Sequence, residues 1–298
     1  METISISIVS YRDNDLIDTV KSAYNNSKNK ENLFFSIVSQ AEDAEHPDLS
    51  FIPESQIRYI KMHWKNAKGP CFVRKIAHEN LSSKYFLQID SHSRFVENWD
   101  ELVINAFENA KKYWGDKIVF SNYPDPFEIN WSNGKKDNLI NYDRLYKIVP
   151  YWDEKSKMIQ GKWEFVQDTE NGDEMYFFSA NSAFCDLSIL EEVPYDENIY
   201  FTGEEPSIAL RLFTRGIKII SPTIKYMYSN YNRENSKRNL HWSDHQDWWQ
   251  LNRKSYERLE KIMTGDKSLG IYGIGDSDLF NKYQEITGID LLNKDYRV

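Results

Sequence analysis

The sequence predicts an α/β protein, and two observations lead to this prediction. Short apolar runs that end abruptly on polar residues are typical of buried strands, and the clearest run, residues 85–89, is closed by Asp90, Ser91 and His92. Amphipathic stretches separate such runs in the order strand, helix, strand, strand, helix, strand. That is the order of a nucleotide-binding half-sheet.

The first part of the chain supplies these elements one after another. Residues 4–10 alternate as a strand does, whereas the next stretch repeats its apolar residues at helical spacing, with Leu16, Val20 and Tyr24 on one face. The expected elements are strands at 4–10, 33–38, 57–62 and 85–89 and helices at 14–25, about 71–81 and 99–113.

The second part of the chain is less regular. Residues 121–175 are rich in Asn, Asp, Pro, Trp and Gly without a clear period, which favours loops and edge strands around a site. Beyond them we expect an apolar segment at 175–187, a helix at 206–214, a strand at 217–220, a loop at 230–245 and terminal helices at 248–264 and 278–287.

Asp90 and His92 follow a predicted buried strand directly. Ligands of such sheets bind beyond the carboxyl ends of the strands. Two residues apart on extended backbone, both side chains point to the same side and are close enough to share one divalent cation. A carboxylate oxygen and one imidazole suit Mn²⁺ or Mg²⁺ better than a closed zinc site. The alternative is an Asp that caps the next helix beside a surface His.

Other polar residues are expected on the same side of the sheet. Residues 11–13 close the first strand, and Arg74 lies early in the helix after Gly69, where it is well placed to meet a diphosphate. Glu204 and Glu205 begin a later helix, where the helix dipole favours anions and where one of them can serve as an acceptor for a sugar hydroxyl. The alternatives are an Arg that pairs with a carboxylate and two acids that only cap a helix.

Composition excludes several classes of protein. The chain has 298 residues, enough for one large α/β domain, and a net charge of −9 makes nucleic acid an unlikely partner. Two cysteines are too few for a disulfide framework, and neither a leader segment nor an apolar run of membrane-spanning length is evident. We therefore expect a cytoplasmic protein without a membrane span. Aromatic residues make up 15% of the chain, which tilts the expectation towards carbohydrate.

Five segments, in order, resemble the Skp1-type polypeptide N-acetylglucosaminyltransferases. They are ISIVSYRD, QIRYIKMHWKNAKGPCFVR, YFLQIDSHSRFVENWD, FTGEEPSIALRLFTRG and YGIGDSDLFNKYQEITGIDL. The resemblance implies a GT-A glycosyltransferase fold with a Rossmann-like central mixed sheet flanked by helices. It also implies a UDP-sugar donor, retention of anomeric configuration, and Mn²⁺ or Mg²⁺ held by Asp90 and His92, as in the similar mucin-type GalNAc-transferases.

The resemblance also implies roles for individual residues. Asp90, Glu204 and Glu205 would be catalytic, with Glu204 facing the donor sugar. The nucleotide and its phosphates would be bound by Ser10, Tyr11, Arg12, Asp13, Gln40, Gly69, Arg74, Ser91 and Arg233. The sequence departs from the family where a His after the late strand usually supplies a third metal ligand. The candidates here are Ser229, Asn230, His241 and His245, of which we favour His241.

These inferences predict a metal-dependent retaining glycosyltransferase that moves a sugar, with GlcNAc favoured, from a UDP-sugar to a hydroxyl of a protein or glycan. The missing His leaves a second hypothesis open, a degenerate homologue that binds a nucleotide sugar or glycan without turnover. A metal-dependent hydrolase is a third. We expect a catalytic domain at 1–245, divided into a nucleotide-binding half (1–113) and a donor and acceptor half (114–245), with a helical extension at 246–298 packed on it.

Overall fold

A computed structural model describes residues 2–130, 135–232 and 238–296, and it has the expected α/β class. The helices are α1 (Leu16–Asn26), α2 (Pro70–Ala77), α3 (Trp99–Trp114), α4 (Ile189–Glu192), α5 (Glu204–Phe213), α6 (His241–Asp244), α7 (Trp248–Met263) and α8 (Ser277–Thr287). The strands are β1 (Ile4–Tyr11), β2 (Leu33–Ala41), β3 (Ile57–His63), β4 (Tyr85–Asp90), β5 (Ser93–Phe95), β6 (Ile118–Ser121), β7 (Asp125–Asn130), β8 (Lys136–Leu139), β9 (Tyr146–Asp153), β10 (Met158–Phe165), β11 (Glu174–Met175), β12 (Ser182–Asp186), β13 (Lys218–Ile220) and β14 (Met227–Ser229).

The central sheet has eight strands in the order β11-β13-β6-β12-β4-β1-β2-β3. Strands β3, β2, β1 and β4 are parallel, whereas β12 runs antiparallel between β4 and β6. The sheet is therefore mixed. The carboxyl ends of β1, β2 and β4 meet at one edge, as the strand and helix order predicts.

Strand β1 is buried on both faces, although its alternation of Ile and Ser suggests that one face is exposed to solvent. Ile4, Ile6 and Ile8 are fully buried in the main core, but Ser5 and Ser7 are buried as well. Ser5 donates its hydroxyl hydrogen to the hydroxyl of Ser83 over 2.8 Å. Burial on both faces is typical of a parallel sheet that other elements cover on each side.

The segment 121–175 contains more regular structure than its composition indicates. Strands β9 and β10 pair along eight residues each as an antiparallel hairpin. Strands β7 and β8 join β5 and β14 in a separate four-stranded sheet. The predicted loop at 230–245 is also wrong in part, because α6 forms within it.

The C-terminal helices pack against α5. The ring of Tyr283 in α8 lies 5.5 Å from that of Phe213, and its hydroxyl donates to the backbone carbonyl of Tyr176 over 2.8 Å. Gly203, just before α5, lies against Leu259 of α7. One hydrophobic core accordingly includes residues from β1 as well as from α7 and α8. Within the described ranges no helix is both long and apolar enough to cross a bilayer.

Candidate active site

A cleft of about 470 Å³ lies at the carboxyl ends of β1, β2 and β4. The N-termini of α2 and α5 close two of its sides, and the segment before α6 closes another. Fourteen residues expected at the site from sequence line it: Ser10, Tyr11, Asp13, Gln40, Gly69, Arg74, Asp90, Ser91, His92, Glu204, Glu205, Ser229, Asn230 and His241. Arg12 is adjacent to this lining, and Arg233 lies outside the described residues.

Asp90 and His92 face each other in this cleft. Nε2 of His92 is 3.6 Å from Oδ2 of Asp90. The other ring nitrogen, Nδ1, lies 2.9 Å from Oδ2 of Asp13 at the end of β1. A carboxylate is an acceptor only, so Nδ1 carries the hydrogen and donates it to Asp13. In neutral His92 the lone pair is then on Nε2, directed towards Asp90.

Asp13 is itself fixed by several donors. The hydroxyl of Ser91 donates to its Oδ2 over 2.8 Å, and the backbone N–H of Asp15 donates to its Oδ1 over 3.0 Å. Burial on its own raises the pKa of Asp13, but the hydrogen bond and charge of His92 and these other donors outweigh it, and the pKa is lowered overall. Asp13 is therefore a charged, preoriented acceptor beneath His92.

Arg74 occupies the floor of the cleft, where it bridges two acids. Its Nη2 donates to Oδ1 of Asp90 over 2.9 Å, and its Nε is 3.2 Å from Oε1 of Glu204. Its Nη1 donates to the carbonyl of Ala180. Arg74 is thus near the expected diphosphate position, but its first partners are Asp90 and Glu204, as in the alternative of an Arg that pairs with a carboxylate.

The two acids at the start of α5 differ in their environments. Burial raises the pKa of Glu204, although the charge of Arg74 opposes this change. Burial raises the pKa of Glu205 to about 8, against the hydrogen bond that Ala180 donates to its Oε1 over 2.9 Å. At neutral pH Glu205 is therefore largely a neutral acid, able to donate a hydrogen bond to a ligand.

Tyr11 and Arg12 anchor α6 to the end of β1. The hydroxyl of Tyr11 and Nη1 of Arg12 both donate to Oδ2 of Asp244, each over 3.0 Å. The guanidinium group of Arg12 also lies 5.0 Å from the ring centre of Trp64. These two residues hold the segment that covers one side of the cleft.

His241, the favoured third metal ligand, is engaged elsewhere. Its Nε2 faces the carbonyl of Ala67 at 3.1 Å, so it donates there, and its Nδ1 then accepts from the hydroxyl of Tyr200 at 2.7 Å. His245 stacks on its ring at 4.0 Å between centroids. Neither ring nitrogen of His241 offers a lone pair to a cation in this arrangement. Across the described ranges no three His, Cys, Asp or Glu side chains gather as a metal site.

The sequence model of the glycosyltransferase (GlcNAc) family matches residues 49–291, most of the chain. The chain belongs to this GlcNAc glycosyltransferase family. No curated protein matches the sequence significantly.

Solved structures resemble this chain over most of its length. A crystal structure of GalNAc-T7 with UDP, GalNAc and Mn²⁺ has a TM-score of 0.63 at 16% identity, over 98% of this chain and 55% of that one. The chain therefore spans little more than half of that structure. Residues 1–349 of TarS from S. aureus, in complex with UDP-GlcNAc, give a TM-score of 0.50 at 14% identity, over 89% of this chain and 67% of that one. At these identities the likeness establishes the GT-A fold alone.

Sequence reasoning missed several residues that line the cleft. They include Ile159, Gln160, Phe177, Asn181, Phe201, Tyr231, Arg238 and Trp242. Most lie in stretches without periodicity. A signal was present for Phe201, three residues before Glu204, for Tyr231, next to Asn230, and for Trp242, next to His241.

Proposed function

We propose that this chain is a metal-dependent, retaining glycosyltransferase that transfers GlcNAc from UDP-GlcNAc to a hydroxyl of a protein or glycan. The observation that carries the proposal is the Asp90 and His92 pair, oriented by Asp13 inside a cleft at the edge of a GT-A sheet. The family match supports the sugar, and UDP-GlcNAc in the TarS structure supports the donor. The Mn²⁺ in the GalNAc-T7 structure supports the metal. A protein acceptor is the type that resemblance to the Skp1-type enzymes implies.

The donor set fits a hard divalent cation. Neighbouring ligands of an octahedral ion with bonds of about 2.1 Å are about 3 Å apart, so the 3.6 Å between Asp90 and His92 needs only a small adjustment. Mn²⁺ and Mg²⁺ commonly combine one or two protein ligands with substrate phosphates and water. Two protein ligands are therefore enough for a site that the diphosphate completes.

The cation would supply positive charge where negative charge develops on the departing diphosphate. The protein's own residues keep this site in order: Arg74 fixes Asp90 from below and links it to Glu204 at the start of α5. Glu205, whose pKa burial raises to about 8, would donate a hydrogen bond to a hydroxyl of the donor sugar while it is protonated. Preorganised groups of this kind need no rearrangement as the reaction proceeds.

The proposal is tested by hydrolysis and transfer of UDP-GlcNAc with and without Mn²⁺ in the wild type and in Asp90→Ala. We expect Mn²⁺-dependent release of UDP in the wild type. In the variant the rate of release should fall about 100-fold or more, because charge stabilisation by a bound metal amounts to several kcal/mol. NMR of the sugar product should show a retained anomeric configuration.

Asp137→Ala is the matched control. Asp137 also pairs with an arginine, Arg94, over 2.5 Å, and its side chain is 30% exposed against 28% for Asp90. It does not belong to the lining of the cleft. Equal activity of the Asp90→Ala variant and the wild type would contradict the proposal, as would activity that is independent of metal.

One observation favours a second candidate function, a homologue that binds nucleotide sugars without turnover. Among the described residues, Asp90 and His92 are two candidate metal ligands, and no third joins them. For this candidate, calorimetry would detect UDP binding while mass spectrometry finds neither hydrolysis nor transfer.

A further inference from the structure

The cleft has a charged inner part and a more exposed outer part of different chemistry. Asp13, Arg74 and Glu204 are buried. The outer part, which we call the aromatic rim, consists of aromatic rings and side-chain amides: Gln160, Asn181, Phe201, Tyr231 and Trp242. The Asp90 and His92 pair, with the cation that it would hold, and the acids of the inner part suit a sugar diphosphate. The aromatic rim is then left for the second substrate.

The rings of the rim are exposed but held in place. Phe201 is 44% exposed and Tyr231 46% exposed. The hydroxyl of Tyr231 donates to the carbonyl of Pro124 over 2.9 Å and accepts from Nδ2 of Asn181 at 3.2 Å. Phe201 leans on the ring of Trp242, with 5.4 Å between their centroids. Because these rings are already ordered, little conformational entropy is lost when a flat apolar surface stacks on them.

The polar groups of the rim suit hydroxyls. A hydroxyl both donates and accepts, and a side-chain amide offers a donor and an acceptor side by side. Gln160 and Asn181 place such amides in the lining of the cleft. Both also bond within the protein: Nδ2 of Asn181 donates to Tyr231 and its Oδ1 accepts from Ser179, and Nε2 of Gln160 donates to Ser156. A second hydrogen on each amide nitrogen and a second lone pair on the Asn181 oxygen remain for a ligand. Sugars combine apolar ring faces with hydroxyls around the edge, so rings and amides together match both parts of a sugar.

The rim does not match an acidic peptide. In the described part of the lining, the guanidinium groups are those of Arg74 and Arg238. Arg74 is bound to Asp90 and Glu204, and Nη2 of Arg238 donates to the carbonyl of Asn230 over 2.9 Å. The charge of −9 for the whole chain also disfavours acidic partners.

We propose that the acceptor is a carbohydrate, whose ring stacks on Phe201 and Tyr231 and whose hydroxyls bond to Gln160 and Asn181. This inference rests on the proposed function, and it narrows the acceptor from a protein or glycan to a glycan. In the reaction, the accepting hydroxyl oxygen forms a bond to the anomeric carbon while the bond from that carbon to the diphosphate oxygen breaks. The hydroxyl proton leaves with the diphosphate, so the products are the new glycoside and UDP.

The test compares two classes of acceptor with the full chain, UDP-GlcNAc and Mn²⁺. One set consists of aryl glycosides of glucose, galactose, mannose and GlcNAc, and the other of unglycosylated peptides that contain Ser, Thr or hydroxyproline. We expect saturable transfer to at least one glycoside and none to the peptides. Transfer to bare peptides alone would overturn the inference. Donor hydrolysis without any transfer would also overturn it while leaving the donor chemistry in place, and absence of both reactions would overturn the proposed function as well.

Variants of the rim provide the second readout. Phe201→Ala and Tyr231→Ala should each raise KM for the glycoside about three- to tenfold, the range that one aromatic contact provides. The matched control is Trp163→Ala, which removes a ring that is 61% exposed but lies outside the cleft lining. It should leave both KM and kcat unchanged. An equal effect of all three substitutions, or an effect on kcat alone, would contradict a stacking role.

Discussion

Asp13 determines which nitrogen of His92 faces Asp90. At the end of β1 it accepts hydrogen bonds from His92, Ser91 and the backbone of Asp15. Carboxylates that orient a metal-binding histidine typically change metal affinity 10- to 100-fold when they are replaced. The sequence suggests a role for Asp13 in nucleotide binding. The structure gives it a position where it acts through His92.

We predict that Asp13→Ala weakens Mn²⁺ binding about 100-fold and Asp13→Asn about 10-fold, because the amide still offers one acceptor oxygen. Calorimetry or electron paramagnetic resonance of Mn²⁺ measures this affinity without any turnover. The control is Asp15→Asn, since Asp15 is buried in the same loop but pairs with Arg94. Equal Mn²⁺ affinities in the Asp13 and Asp15 variants would show that Asp13 does not position His92.

Glu205 should make folding stability depend on pH. Burial raises its pKa to about 8 in the folded state, from an ordinary value of 4.5. As pH rises from 4.5 to 8, the unfolded chain loses this proton while the folded chain keeps it, so the free energy of unfolding falls. Above pH 8 this group is ionised in both the folded and the unfolded state, so it lowers the free energy of unfolding no further.

We therefore predict that the free energy of unfolding of Glu205→Gln, relative to that of the wild type, rises as the pH rises from 5 to 8. The rise should be on the order of a few kcal/mol. Urea unfolding of both proteins at pH 5, 6, 7 and 8 measures the difference. A stability difference that stays constant over this range would mean that Glu205 is ionised in the folded protein throughout.

The sequence could predict that the main candidate residues lie together at one edge of the sheet, because they follow or begin regular elements. Asp13, Asp90 and Glu204 end strands or begin a helix, and the carboxyl ends of parallel strands share an edge. It could not predict that Arg74 is bound between Asp90 and Glu204, because that contact joins two distant segments. Phe201 and Gln160 were missed for a similar reason, since their positions depend on how irregular segments pack.

At the scale of elements, α2 owes its position to Gly69. This residue has φ of +96°, and a Cβ there would lie 2.4 Å from the backbone oxygen of Tyr200. Only glycine allows both the left-handed backbone and this close approach. Pro70 then begins the helix with its φ already suited to it. The result is a helix start that faces the cleft.

We predict that Gly69→Ala destabilises the fold by about 2–5 kcal/mol, from backbone strain together with the clash. Gly115→Ala is the matched control, because Gly115 has φ of +92° but nothing lies within 4 Å of its Cβ position. It should cost about 1 kcal/mol from strain alone. Denaturant titrations measure the free energy of unfolding of both variants. Equal decreases would show that the backbone near Tyr200 moves enough to accommodate the Cβ atom.

The β9 and β10 hairpin shows why local pattern failed in the second half of the chain. Strand β9 contains Pro150, which is normally a signal against a central strand. In a two-stranded hairpin each strand has an open edge, so a proline can be accommodated. Trp163 pairs with Ile148, and their neighbours pair along the hairpin. The connection between the two strands sets this register, which the periodicity of either strand does not reveal.

At the scale of the whole molecule, the parallel half of the sheet was predictable and the mixed half was not. In the first half each strand and its helix follow in order, so sequence order and spatial order nearly agree. In the second half β12 inserts between β4 and β6, and β13 lies beyond β6. Neither position follows the order of the strands along the chain, so the sequence pattern does not indicate it.

The C-terminal helices should unfold together with residues 1–245, because both belong to one hydrophobic core. Tyr283 is fully buried against α5, the helix that begins with Glu204. We predict that Tyr283→Ala lowers the free energy of unfolding by about 3–5 kcal/mol and that calorimetry still shows a single transition. Tyr113→Ala, at a tyrosine that is 61% exposed, should change stability by less than about 0.5 kcal/mol. If Tyr283→Ala separated an early transition of the C-terminal helices from a later one, residues 246–298 would be an independent unit, and α5 would hold its acids without their support.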